Sequence, residues 1–321
     1  MKPVRFFGMF LVVIFMFSIG GESLAAEKYP TKPIQIVIGF APGDTDNGLR
    51  PFIEKMPEYL GQPMTFVYKP GASGSVGAAF VASSKPDGYT LVGTSQSSIT
   101  AVPHTQQVSY TWESFAPVCS LNDAPYLFVV NSNSPWKTIK EFVADAKKEP
   151  GKLSYSSSGT FGLPHIVGEM FAKAADIKLN YIPSQGSTPA VTAVLGGHIN
   201  AVSTPSTPAL AHIKAGTLRP LAVFTKDRIK ALPDVPTFLE MGYPVSLAVI
   251  TGLLAPKGTP KEVIDILNDA AKKVFQNYEA FLTEREEKLG LTPRYVGAAE
   301  YTATLKANNE LFSKFIKELK K

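Results

Sequence analysis

From Ile34 onward the chain alternates short β-branched runs with helical stretches, and this alternation restricts the folds open to it more than any other feature. Ile34-Gln35-Ile36-Val37-Ile38 reads as a strand buried on both faces. A loop over 40–46 leads into a helical stretch ending near Gly61, and a second strand is predicted over 64–68. The loop 69–75 opens a small-residue helix through Ser84. Pro86-Asp87-Gly88 then makes a turn into a third strand over 89–92, which ends at Gly93-Thr94-Ser95. Strands separated by single helices connect by right-handed parallel crossovers, so the first unit is expected to be a three-layer α/β lobe.

A second set begins near Tyr126. Strands are predicted at 127–130, 153–157, 179–182, 199–203 and 218–224, with helices between them. A strand over 246–254 follows, then helices at 259–276, 279–289 and 298–319. A three-helix tail cannot bury its apolar faces alone, so it is expected to pack back on the first lobe. The division is therefore 26–122 with 246–321 as lobe 1, and 123–245 as lobe 2. In open parallel sheets ligands sit beyond the carboxyl ends of the strands. That places a cleft at loops 40–46, 69–75, 94–98, 156–162, 183–188 and 203–206, with hinges near 120–125 and 244–250.

The first 25 residues have a different character. Lys2 and Arg5 precede an apolar run from Phe6 to Ile19, and Ser23-Leu24-Ala25 supplies small residues for cleavage. This is the layout of a secretory signal peptide, and the run is short for a bilayer span of about 20 residues. Cleavage is expected to leave Ala26 or Glu27 first, in the periplasm. Cys119 is the only cysteine, so no intramolecular disulfide can form and no lipid-bearing cysteine follows the leader. Stability must come from burial, and 45% hydrophobic residues suffice for two cores. The net charge of +5 is dispersed apart from lysines at the extreme C-terminus, which argues against nucleic acid as a partner.

The six loops are rich in Gly, Ser and Thr and nearly empty of Lys and Arg, and helices follow them. Helix N-termini present unpaired N–H groups and partial positive charge, which suits anions. Ser156-Ser157-Ser158-Gly159-Thr160 is the densest cluster, and Pro70-Gly71-Ala72-Ser73-Gly74 is its counterpart. The alternative is ordinary Ser/Thr capping. Asp44 and Asp46 form a carboxylate pair, of which Asp46 also suits a helix cap.

Enzymatic readings find little support. The Gly71-x-x-Gly74-x-x-Gly77 spacing is not that of a dinucleotide loop, and no P-loop lysine follows it. No G-x-S-x-G elbow occurs. Histidines 104, 165, 198 and 212 lack metal-ligand spacing. His165, in the first turn of a helix beside the serine cluster, is the candidate base of a hydrolase using one of Ser156 to Ser158. The expectation is no catalytic residue, no metal and no cofactor.

In these motifs the chain resembles the Bug family, the TctC-like substrate-binding receptors of tripartite tricarboxylate transporters. Tyr29-Pro30-Thr31-Lys32-Pro33-Ile34 resembles the family's opening, and Pro70-Gly71-Ala72-Ser73-Gly74-Ser75-Val76-Gly77 its P-G-A-x-G-x-x-G loop. Pro86-Asp87-Gly88-Tyr89-Thr90-Leu91 and Pro150-Gly151-Lys152-Leu153 fit, as do Leu232-Pro233-Asp234-Val235-Pro236-Thr237 with Glu240 and Gly242-Tyr243, and Ala255-Pro256 with Thr259-Pro260-Lys261-Glu262.

The resemblance implies a type II periplasmic-binding-protein fold, two α/β lobes with a ligand cleft between them, and a carboxylate held by backbone amides and hydroxyls. The first loop gains Asp44, the second-lobe Y-x-G-x-x-P loop has Ser184 in place of the aromatic, and the family's G-G-x-x-D ends in Asn200. Asn200 in the cleft would favour a dicarboxylate by removing a like charge. The candidate ligand contacts are Phe40, Asp44, Thr45, Asp46, Gly71, Ala72, Ser73, Gly74, Thr94, Ser157, Ser158, Gly159, Thr160, Gly186, Ser187 and Asn200. The expected partners are a small organic acid and membrane transporter subunits, or a signalling partner if the receptor is a sensor. The receptor itself is expected to be a monomer.

Overall fold

The computed structural model describes residues 29–184, 186–247 and 249–319. The leader expected over 1–25 lies outside them. In chain order the elements are β1 (Ile34–Ile38), α1 (Asp44–Lys55), α2 (Pro57–Leu60), β2 (Met64–Tyr68), α3 (Ser75–Ala82) and β3 (Thr90–Ser95). Next come α4 (Gln96–Thr100), α5 (Val102–Thr105), β4 (Phe115–Ala124), β5 (Tyr126–Asn131), α6 (Ile139–Lys148) and β6 (Ser154–Ser157). Then follow α7 (Leu163–Ala174), β7 (Asn180–Pro183), α8 (Ser187–Leu195), β8 (Ala201–Pro205), α9 (Ser206–Lys214) and β9 (Leu218–Val223). The chain ends with β10 (Val249–Pro256), α10 (Lys261–Asn277), α11 (Glu279–Glu287), β11 (Thr292–Gly297) and α12 (Ala298–Leu319).

Two sheets result. The first has the order β11-β4-β10-β3-β1-β2 and the second β7-β6-β8-β5-β9. The β-branched β1 sits beside β2 and β3, parallel to both. Both of its faces are covered, as its composition requires. Ile34, Ile36 and Ile38 pack with Leu49 and Phe52 of α1 and Leu267 of α10. Val37 packs on the other side with Val81 of α3 and Tyr301 of α12. In the second sheet Phe128 on β5 gathers Phe142, Phe171 and Phe238, while Leu127 and Val129 meet Val191 and Val194 of α8.

The parallel crossovers expected for the first three strands are present, but neither sheet is parallel throughout. In the first sheet β10 lies antiparallel between β3 and β4, and in the second β5 is antiparallel to β8 and β9. The strands β4 and β11 escape sequence reasoning. Pro117, Ser120, Asn122 and Asp123 break the apolar pattern of β4 although it lies inside the sheet. The edge strand β11 carries Pro293 and an exposed Thr292 and Arg294.

One part of the tail reaches beyond the first lobe. Helix α10 packs on the first sheet, and α11 lies against α1. Helix α12 overshoots. With 22 residues it is about 33 Å long at 1.5 Å per residue. Its Phe312, Phe315 and Ile316 join the core of the second sheet, and Glu318 lies 2.6 Å from Lys173 on α7. The chain itself crosses between the sheets at Pro125, which joins β4 directly to β5, and again ahead of β10.

Candidate functional site

The carboxyl ends of β1, β2, β3, β6, β7 and β8 surround one cleft of about 760 Å³. Each strand runs into a lining segment: Gly39 and Phe40, Pro70 to Gly74, Ser95 and Ser97, Ser158 to Thr160, Ser184 with Gly186 and Ser187, and Pro205 with Thr207. Five helices of eight residues or more begin there, namely α1, α3, α7, α8 and α9. Their N-cap residues are Gly43, Gly74, Gly162, Gly186 and Pro205, and none supplies a side-chain cap. Helix α6 begins outside the cleft, and its Thr138 hydroxyl accepts from Glu141 N in the usual way. The Ser/Thr-capping alternative therefore does not describe these five ends. Four carry glycine where a hydroxyl would occupy the terminal N–H groups, which leaves the cleft a set of donors. Among the described lining residues there is no Lys, Arg, His, Asp or Glu.

The glycine spacing in the first-lobe loop has a steric origin. A Cβ on Gly74, which sits at φ 86°, would meet the Phe40 ring at 2.9 Å and Ser98 Oγ at 2.6 Å. A Cβ on Gly77 would meet Gly39 Cα at 2.8 Å, so this glycine lets α3 start directly against the end of β1. Just before Gly74, Ala72 and Ser73 are held at φ 46° and 56°, and Ser98 Oγ donates to Ser73 O at 3.0 Å. Phe161 in the facing loop has φ 58°. Left-handed conformations at non-glycine residues persist only where surrounding contacts enforce them, and they concentrate at ligand clamps.

Of the sequence-derived candidates, Phe40, Thr45, Gly71, Ala72, Ser73, Gly74, Ser158, Gly159, Thr160, Gly186 and Ser187 line the cleft. Asp44 opens α1, and its side chain lies outside the described residues. The other four are placed elsewhere. Asp46 is buried as a cap, accepting from Gly43 N at 2.7 Å, Arg50 at 2.8 Å and the Tyr68 hydroxyl at 2.9 Å. Thr94 is buried within β3, one residue before the lining Ser95. Ser157 is buried beneath its loop, with its hydroxyl donating to Gly159 O and paired with the Tyr181 hydroxyl.

Asn200 is a correction of topology. It precedes β8 and accepts from Ser154 N at 2.8 Å, at the start of β6. The amino ends of these strands face away from the cleft, so the dicarboxylate preference drawn from Asn200 falls.

The hydrolase constellation is also dispersed. Ser156 Oγ donates to Ile182 O, and His165 Nδ1 accepts from Phe161 N at 2.9 Å. The other imidazole nitrogen faces Glu169 at 3.7 Å. Burial lowers the His165 pKa to about 4, so the ring is neutral.

Sequence reasoning missed the floor. Asn122, Ala124 and Tyr126 at the β4–β5 crossing line it with Val249 and Thr251 of β10 and with Leu291. The signal available was polarity inside a central strand. Asn122 is buried, and its Nδ2 donates to Gly48 O at 2.8 Å and Glu286 Oε1 at 3.1 Å. Glu286 is fully buried, and burial pushes its carboxyl up to about 9.

Two α/β lobes, crossing strands and a cleft built of helix N-termini make up the fold of the solute-binding proteins. Comparison with known proteins gives the family. The tripartite tricarboxylate transporter family receptor, TctC, matches residues 49–320, and the chain belongs to that family. It is 33% identical to Protein BugT of Bordetella pertussis over 278 residues, covering 84% of this chain and 85% of BugT. A solved periplasmic transporter is 35% identical with a TM-score of 0.82, over 91% of this chain and 98% of that one. An R. palustris protein solved with adipate is 25% identical with a TM-score of 0.80, over 90% of this chain and 97% of that one. The chain is thus a solute-binding receptor and not an enzyme.

Proposed function

We propose that this receptor works in the periplasm, after export on its leader, and captures a small organic acid by its carboxylate for delivery to membrane transporter subunits. The observation that carries the reading is the convergence on one cleft of five helix N-termini whose N-cap residues supply no side-chain cap, with no charged side chain in the described lining. Each terminus favours a negative charge by about 0.3–1 kcal/mol, and more when partly buried. A hydrogen bond from a hydroxyl or N–H to a carboxylate adds about 1.5–3 kcal/mol. A handful of such contacts reaches the ~8 kcal/mol of micromolar binding without any arginine. The adipate bound by the R. palustris relative supports the same ligand class, and the family's description supports a transporter as the recipient.

Calorimetry with adipate and its neutral diamide is the test. The acid should bind at least about tenfold more tightly, and Thr160→Val should weaken the acid alone. Equal affinity for acid and amide ends the carboxylate reading.

A further inference from the structure

The loop that brings Ser158, Gly159 and Thr160 into the cleft turns on Phe161, whose left-handed backbone is unfavourable for a side chain of that size. Two hydrogen bonds close the turn. Gly162 N donates to Gly159 O at 3.2 Å, and Phe161 N donates to His165 Nδ1 at 2.9 Å. The second requires a lone pair on Nδ1, hence an imidazole protonated only at Nε2. The groups around the ring fit that tautomer. Glu169 on the same helix faces Nε2 at 3.7 Å, and Tyr155 on β6 donates its hydroxyl to the same carboxylate oxygen. Tyr181 on β7 lies over the imidazole with ring centroids 3.9 Å apart, and its hydroxyl pairs with Ser157 Oγ at 2.9 Å. The ring is buried, so water does not substitute for it.

We propose that His165 is a positioning residue for ligand capture, its Nδ1 lone pair fixing the Phe161 amide and so holding residues 158–162 in the shape that lines the cleft. This rests on the receptor reading above. It assigns the histidine to neither catalysis nor ligand contact. It also explains why a histidine in the first turn of α7 sits beside the densest serine cluster. Protonation of Nδ1 would replace an acceptor with a second donor facing the Phe161 N–H, and the turn would open.

Two carboxamide variants, each reaching the place of one ring nitrogen, separate this role from plain packing. In His165→Asn the amide oxygen can take the place of Nδ1, whereas in His165→Gln the amide reaches only the place of Nε2. With adipate as the probe, the Asn variant should bind within about twofold of wild type, and the Gln variant about tenfold more weakly. In the ligand-free proteins, amide hydrogen exchange at Phe161 should be slow in wild type and His165→Asn and fast in His165→Gln. Wild-type affinity should also fall as pH drops toward 4, more steeply than that of His165→Asn, which has no imidazole to titrate. Equal affinities of the two variants, or equal protection of Phe161 in both, overturn the proposal. A wild-type protein that ignores adipate overturns the ligand class instead, and the exchange measurement still decides the role of His165.

Discussion

Glu286 is a residue whose ionisation this fold opposes. Its carboxyl is fully buried beside Asn122 and is raised from 4.5 to about 9, desolvation outweighing the hydrogen bond from the amide. A folded pKa above the unfolded one means that the contribution to stability is complete below pH 4.5. It is lost progressively as pH rises through 9, because the unfolded chain gives up its proton first. At pH 7 the loss is about 3 kcal/mol. Glu286→Gln keeps the acceptor for Asn122 Nδ2 and has no proton to lose. The variant should match wild type near pH 4 and exceed it by about 3 kcal/mol at pH 7 in urea unfolding. A difference that does not change with pH would show that Glu286 is not held protonated. At this scale the sequence identifies residue types well and partners poorly. His165 is legible as a residue in the first turn of a helix beside the serines, but its partner is a backbone N–H exposed only by the left-handed turn at Phe161. Asp46 is legible both as a cap and as a ligand, and the choice depends on Tyr68, 22 residues away, whose hydroxyl reaches it.

Among the elements, α12 contributes side chains to the cores of both lobes. Tyr301 and Leu305 lie against the first sheet, and Phe312, Phe315 and Ile316 enter the core of the second. Phe312 is fully buried, so Phe312→Ala removes a whole ring from a closed core. The expected cost is about 3–5 kcal/mol in guanidinium unfolding. A loss below about 1 kcal/mol would show that the last turns of α12 are dispensable to the second lobe. The helix is readable from its apolar spacing, but its second contact is not, because both of its apolar stretches look equally suited to one sheet. Strand β4 gives the opposite lesson. Its buried Ser120 and Asn122 argue locally against a central strand, yet β10 and β11 pair with it on either side. The polarity that hides the strand is what furnishes the cleft floor with Asn122.

For the whole molecule, the arrangement of two lobes about a cleft implies closure on the ligand, with pivots at Pro125 and in the segment ahead of β10. The α12 bridge adds a third connection, so closure should be a rotation about that side of the molecule rather than a free hinge. Small-angle scattering with saturating adipate should show a smaller radius of gyration than the free protein. An unchanged radius under calorimetrically confirmed saturation would mean that the ligand is held without closure.

What the sequence determines by itself is local. Hydrophobic periodicity sets the alternation of strand and helix, glycine and proline set the turns, and segments rich in Gly, Ser and Thr after six of the strands mark the cleft loops. The motifs spread along the chain, from Tyr29-Pro30 to Lys261-Glu262, suffice for the family resemblance. What only the tertiary structure decides is non-local. Asn200 turns out to lie at the amino end of β8 and away from the cleft, β10 inserts antiparallel beside β4 to make the floor, and α12 reaches the second core. Each of these depends on which distant segment pairs with which. Burial energy rewards any apolar surface that closes, and the sequence does not state in advance which surfaces will meet.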